Sequence, residues 1–430
     1  MIGDVKESWA GSAPTHWEVR PLGFHFTERT EVVSDRDYTP LSVTKAGVVP
    51  QLGTAAKTTN NDTRKLVRAG DFAINSRSDR RGSAGISDVQ GSVSVVYTIL
   101  QPRDSIDRRF AHHLLRSRAF QEEYYRWGNG IVADLWSTRY SAMKRIPVAL
   151  PPLPEQRAIA DYLDRETAQI DTLIQEQQRL IATLVERRVS VIDTALTRGI
   201  DVTAERSSTR NAWIPSIPTT WTLVSTRRLL AFGPANGVSP EAGETDDLRS
   251  LTLGAIRNGR VMATEEVTKY VDRSRVANVD ALRLIPDDIL LVRGNGNPDL
   301  VARAGLVGPE FAATEYIYPD LLIRVRTTSS MLPGFFVWAF NASATRAQVG
   351  ARARTAVGTF KVAGDDVRSL VLPLPPVEEQ RRLVEYLENQ TSKIDVLIEQ
   401  AERFIRLSLE RRASLITAAV TGRIDIEGAA

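Results

Sequence analysis

The chain has 430 residues, enough for two or three domains with sizeable hydrophobic cores. Its composition, 42% hydrophobic and 25% charged, is that of a soluble globular protein, and the lack of cysteine excludes disulfides, thiol chemistry and cysteine-based zinc sites. A net charge of +3 admits a nucleic-acid partner without requiring one. No apolar run is long enough for a membrane span, and Met1–Ser12 has no signal-peptide pattern, so a cytoplasmic location and no membrane partner are expected.

The first motif is Pro14-Thr15-His16-Trp17, followed by a mixed segment from about 18 to 149. Asp71-Phe72-Ala73-Ile74 and Val93–Tyr97 have the composition of short strands, and Phe110–Tyr125 that of a helix. The first of these strands runs into a polar turn carrying Asn75, Ser76, Arg77, Arg80 and Arg81. Arg, Asn and Ser on a loop held by a strand can hydrogen-bond base edges and phosphates. Gly/Asn-rich turns also occur in proteins of every function. The basic stretch Arg103–Arg145 suits either a nucleic-acid backbone contact or a solvated helix face.

At Leu150 the pattern changes. Pro151, Pro152 and Pro154 cannot lie inside a helix but lead into one, and Glu155 suits the positive end of its dipole. Apolar residues then recur at helical spacing. Ile170, Leu173, Leu180, Leu184 and Val191 form one strip, and Ile174, Ile181, Val185 and Ile192 a second. Gln177 interrupts the first strip. With no proline or glycine over roughly 30 residues, the helix is predicted to span on the order of 45–50 Å. Gly199 marks its end.

The second half repeats this order. Pro218-Thr219-Thr220-Trp221 opens it, and Asp288–Val292 reads as a strand leading into Arg293, Gly294, Asn295, Gly296 and Asn297. Pro373, Pro375 and Pro376 precede a helix with Ile394, Leu397, Phe404 and Leu415 on one strip, ending near Gly422. An offset of 224 carries Glu155 to Glu379, and roughly 20 of about 47 gapless positions from there are identical. The mixed segments show little mutual similarity. The expected fold is therefore α+β with a pseudo-twofold internal repeat: globular domains at 1–149 and 213–371, helical regions at 150–212 and 372–430. The apolar faces need a partner. Pairing the two helices as an antiparallel coiled coil is the natural solution, with each helix packing only on its own domain as the alternative. Ile170, Leu173, Leu180, Leu184, Ile394, Leu397 and Phe404 are the expected helix or subunit interface.

A search for an active site comes out nearly empty. His16 is replaced by Thr220 in the second copy, His25 stands alone, and His112 and His113 point about 100° apart on one helix, a poor metal geometry. There is no Gly-x-x-x-x-Gly-Lys-Ser/Thr phosphate loop and no complete Gly-x-Gly-x-x-Gly. No catalytic residue, metal or cofactor is assigned to the chain itself.

The duplicated Leu-Pro-Pro-Leu-Pro-Glu-Gln-Arg-x-Ile-Ala-x-Tyr-Leu-Asp element and the Thr-x-x-Ile-Asp-x-Leu-Ile helix that follows strongly resemble the conserved regions of type I restriction–modification specificity subunits. The match covers Pro154–Ile174 and Pro376–Ile398, with Leu41–Thr44 and Gly70–Phe72 as smaller pieces. The resemblance implies a non-catalytic reader of a bipartite, asymmetric double-stranded DNA site. It implies two modification (methyltransferase) subunits docked on the helices, with S-adenosylmethionine, and restriction subunits, with ATP and Mg, carrying the chemistry. A two-headed coiled-coil protein adaptor without sequence-specific DNA binding is the other reading of the same pattern.

Overall fold

The computed structural model describes residues 9, 13–51, 53, 62–77, 82–130, 136–201, 203–240, 248–356, 358–424 and 426. The chain divides into two compact units, one built from Met1–Arg179 and Ala401–Ala430, the other from Leu180–Gln400.

In the first unit, Glu18–Pro21 pairs antiparallel with Pro147–Leu150, tying the beginning of the globular part to its end. A four-stranded sheet runs in the order Phe26–Glu28, Tyr97–Pro102, Phe72–Asn75, Ala84–Ile86. Phe72–Asn75 is buried throughout, which is why it reads as a continuous apolar run rather than an alternating one. The strand expected at Val93–Tyr97 is instead a turn: Gly91–Val93 ends one strand, Tyr97 starts the next, and the Tyr97 amide donates to the Ser94 carbonyl at 3.1 Å. The helix expected at Phe110–Tyr125 is two, Arg108–Arg116 and Arg118–Arg126. Ser117 takes extended backbone between them, and its hydroxyl accepts from the Phe120 amide to cap the second.

The second unit repeats this plan. Thr222–Ser225 pairs with Val371–Leu374. Leu230–Asn236, Leu322–Thr327, Ile289–Val292 and Ala304–Leu306 take the order of the first unit's four strands, and two short strands extend the sheet. Pro333–Asn341 and Ser343–Gly350 form the matching helix pair. The mixed segments, dissimilar as sequences, share one core topology.

The long helices are Leu153–Arg198 and Val377–Val420, 46 and 44 residues, or about 65–70 Å each. Gly199 (φ +77°) and Gly422 (φ +68°) stop them in the left-handed conformation that favours glycine. In the first unit Arg412 pairs with Asp171 at 3.1 Å, and Leu163 shares a core with Ala419. In the second Arg188 pairs with Asp395 at 3.1 Å, and Ala195 shares a core with Leu387. Early positions on one helix meet late positions on the other, so the helix segments within each unit are antiparallel. The 224-residue offset carries Asp171 to Asp395 and Arg188 to Arg412, so the two ion pairs are copies of one another.

The least exposed line along the first helix runs through Leu163, Thr167, Ile170, Ile174, Gln177, Ile181, Leu184, Arg188, Val191 and Ala195, in alternating steps of four and three, with Gln177, Ile181, Arg188 and Val191 half-buried and the rest buried. Ile170, Leu184 and Ile394 are only 5–7% exposed. Leu173 and Phe404 in the first unit, and Leu180 and Leu397 in the second, are 40–47% exposed and so are not buried between the helix segments of their unit. A two-helix seam needs only two of every seven positions, so the additional leucines are left outside it.

Each Pro-x-x-Trp motif wedges between the end of one long helix and the start of the other. In the first unit Trp17 Nε1 donates to Glu155 Oε1 at 2.9 Å, while a Cβ on Gly422 would come within 2.2 Å of Pro14. In the second, a Cβ on Gly199 would lie 3.3 Å from Glu379 and 3.5 Å from the Trp221 ring.

All four histidines belong to the first unit. Burial pushes His25 down to about 4 and His112 to about 3, and it lowers His113 despite the opposing effect of its hydrogen bond to the Asp164 carboxylate. The unfolded chain therefore binds protons more readily than the folded unit. The stability from these groups is full above pH 6.5 and falls as the pH drops from 6.5 towards 3. Acidification from pH 7 to pH 5 is expected to weaken amide-exchange protection in the first unit selectively, after correction for intrinsic exchange. Equal losses in both units would contradict this.

Candidate nucleic-acid interface

Both expected contact loops leave the buried central strand of their unit, and each strand is anchored by an aspartate. Asp71 accepts from Arg29 Nε (2.6 Å) and Nη2 (3.0 Å) and from the Arg68 amide (2.8 Å). Asp288 accepts from Arg326 through two nitrogens and from the Ile285 amide at 3.0 Å. A second clamp joins each helix pair to its long helix. Gln156 accepts from the Asp107 amide (2.8 Å) and donates to the Pro151 and Ser105 carbonyls (2.9 and 3.3 Å). Gln380 accepts from the Leu332 amide (2.8 Å) and donates to Pro375 and Ser330 (both 2.9 Å).

In the first loop, Asn75 is buried. Its side-chain oxygen accepts from the Arg77 amide at 2.9 Å, and its own amide donates to Ser83. Ser76 Oγ donates to the Val96 carbonyl at 2.6 Å. Both polar groups shape the turn. Arg77 is exposed, while Arg80 and Arg81 lie outside the described residues.

The second loop is in part not a loop. Gly294-Asn295 is an edge strand paired with Thr359–Lys361, which pairs in turn with Arg354–Ala356. The Arg293 carbonyl accepts from the Val362 amide at 3.0 Å, and its guanidinium reaches the Asp320 carbonyl at 3.4 Å. Asn295 Oδ1 accepts from the Asn297 amide, and Asn297 Oδ1 from the Asp299 amide, both at 2.9 Å. These oxygens hold a turn and the short helix Pro298–Leu300.

A matching ribbon occurs in the first unit. Arg77 bridges Ser137, which bridges Asn129. The Thr138 amide donates to the Ser76 carbonyl, just as that of Val362 donates to Arg293. The row Arg77–Ser137–Asn129 therefore corresponds to Gly294–Lys361–Arg354. The segments that complete these rows carry no motif that singles them out in the sequence, because the equivalence rests on backbone pairing. Part of the basic stretch Arg103–Arg145 is engaged within the unit: Arg109 reaches Asp161 (2.6 Å) and Asp164 (3.3 Å) on the long helix at the surface, and Arg116 bonds His112 and the Lys45 carbonyl.

Among the described residues no group of three or more acidic or histidine side chains could hold a metal ion, and no helix is long and apolar enough to cross a membrane. No protein-family model matches the chain. Over 329 residues, 76% of the chain and 68% of the relative, it is 23% identical to the type I restriction enzyme EcoKI specificity subunit of Escherichia coli K12. Over 333 residues, with the same coverage, it is 21% identical to the StySPI specificity subunit of Salmonella potsdam. The chain is a homologue of type I specificity subunits. Among solved structures, one chain described under complex assembly and conformational transition of the type I R-M system matches with a TM-score of 0.72 and 13% identity, covering 96% of this chain and 99% of that one. The HsdS subunit of Thermoanaerobacter tengcongensis matches with a TM-score of 0.53 and 15% identity, covering 96% and 98%. The specificity-subunit homology and the mixed α+β fold with long helices thus agree with the reading of the repeated element.

Proposed function

We propose that the chain is the non-catalytic DNA-specificity subunit of a type I restriction–modification complex, and that each globular domain reads one half of a bipartite, asymmetric duplex site. The observation that carries this is one backbone plan bearing two unlike rows, Arg77–Ser137–Asn129 and Gly294–Lys361–Arg354. Equivalent frames with different side chains suit two different half-sites. The exposed residues Leu173, Leu180, Leu397 and Phe404 suit docking of modification subunits. Those subunits would methylate adenine with S-adenosylmethionine, and restriction subunits would supply ATP- and Mg-dependent steps. Selection from a random duplex library by the chain with its modification subunits tests the reading. Enrichment of a split motif supports it. No enrichment would leave the protein-adaptor reading.

The long helices would set the gap between half-sites. One helical turn inserted after Ala182, with a matching turn after Ala401, keeps the antiparallel layers in step. It lengthens the pair by about 6 Å, close to two base-pair steps of about 3.4 Å. The methylated motif is expected to gain one or two base pairs in its gap with both half-sites unchanged. Altered half-sites would refute the ruler.

A further inference from the structure

In the ribbon of the second unit, Lys361 lies directly opposite Gly294 on one side and Arg354 on the other, so all three share one face. Phe360, next along the strand, turns the other way and packs against the core, which fixes the outward face. Gly294 leaves room for the lysine stem: a Cβ there would be 3.0 Å from Lys361 Cγ. Arg354 and Lys361 are both exposed, and neither side chain has an ion-pair or hydrogen-bond partner among the described residues. Directly opposite like charges, with Cβ atoms about 5 Å apart, destabilise a sheet. The corresponding row of the first unit also carries an exposed cation without such a partner, Arg77, on a different strand.

We propose that this row grips the DNA backbone, with Arg354 and Lys361 each neutralising a phosphate in the second unit and Arg77 taking that role in the first. The proposal rests on the DNA-reading function above and adds which element touches the duplex, and by what chemistry. A phosphate removes the like-charge repulsion and releases condensed counterions. The contact positions the domain on the duplex without itself encoding sequence.

Because phosphate contacts are indifferent to sequence, a fluorescent random-sequence duplex of about 40 base pairs serves as the probe, titrated with the full chain in complex with its modification subunits over about 50–200 mM salt. Arg354→Ala, Lys361→Ala and Arg77→Ala are each expected to weaken binding about fivefold near 0.15 M salt and to lower the log–log salt slope by about 0.9. Arg354→Glu faces Lys361 with an opposite charge, so it keeps or raises the thermal midpoint while weakening binding further, which separates lost contact from lost fold. Unchanged affinity and slope in all four variants, with the wild type still binding, would overturn the grip and leave the DNA-reading function standing. Weaker binding at an unchanged salt slope would overturn the phosphate assignment. Failure of the wild type to bind any duplex would overturn the function itself.

Discussion

Replacing Asp288 by alanine is expected to lower the stability of the second unit by about 3–5 kcal/mol, the range for breaking a buried ion pair by removing one partner. The carboxylate is fully buried and serves two guanidiniums, Arg326 through its hydrogen bonds and Arg324 at 3.7 Å. Arg324 is itself buried; its Nη1, the nitrogen nearest Asp288, also donates to the Arg283 carbonyl at 2.7 Å, and its Nη2 donates to the Ala281 carbonyl at 2.6 Å. It cannot swing into water when the aspartate goes, and the Ile285 amide loses its acceptor as well. Asp71→Ala acts in the same direction in the first unit with a smaller effect, because only one guanidinium, that of Arg29, is stranded. A chain of two units need not unfold in one step, so urea unfolding should be followed by amide exchange in each unit separately. A loss below about 1 kcal/mol for Asp288→Ala would mean the pair behaves like an exposed one.

Gln380→Leu should cost the second unit about 2–4 kcal/mol, and Gln156→Leu a comparable amount in the first. Leucine nearly matches the volume of glutamine, so packing is kept while one amide and two carbonyls lose their partners. Each residue clamps the chain before a helix pair to the first turn of a long helix, so the change should loosen that junction before the sheet. Exchange protection at Leu332 for one variant, and at Asp107 for the other, reads it directly. Undiminished protection at those amides would show that the clamp is not needed.

The long helices were legible because their signals are local: prolines before the first turn, heptad spacing and a glycine after the last. Which strip forms the seam was not. The line draws on both predicted strips, Ile170 and Leu184 from the first and Ile174 and Ile181 from the second, while Gln177 and Arg188 enter it half-buried and Leu173 and Leu180 stay open. Thr167 and Thr391 enter the line by bonding their hydroxyls back to the Leu163 and Leu387 carbonyls, which hides their polarity. The kinship of the two globular parts was invisible for another reason. Its offset drifts from 204 at Trp17/Trp221 to 217 at Asp71/Asp288 and 225 at Asn129/Arg354, so no gapless comparison finds it. What the two parts share is backbone pairing, two anchoring carboxylates and two glutamines. The strands ahead of the expected contact loops form where predicted, but Asn75, Asn295 and Asn297 use their side-chain oxygens to hold turns.

The wedge of Pro14 and Trp17 against Gly422 has a consequence for synthesis. The second unit is one uninterrupted stretch, Leu180–Gln400, and can finish folding as soon as it has left the ribosome. The first is made earlier but lacks the helix segment after Ala401 until some 220 residues later. At about 5–20 residues per second that is a wait of roughly 10–45 s. During it, the apolar positions destined to meet Leu415 and Ala419 stay open to solvent and to chaperones. The usual order, in which the part made first folds first, is reversed.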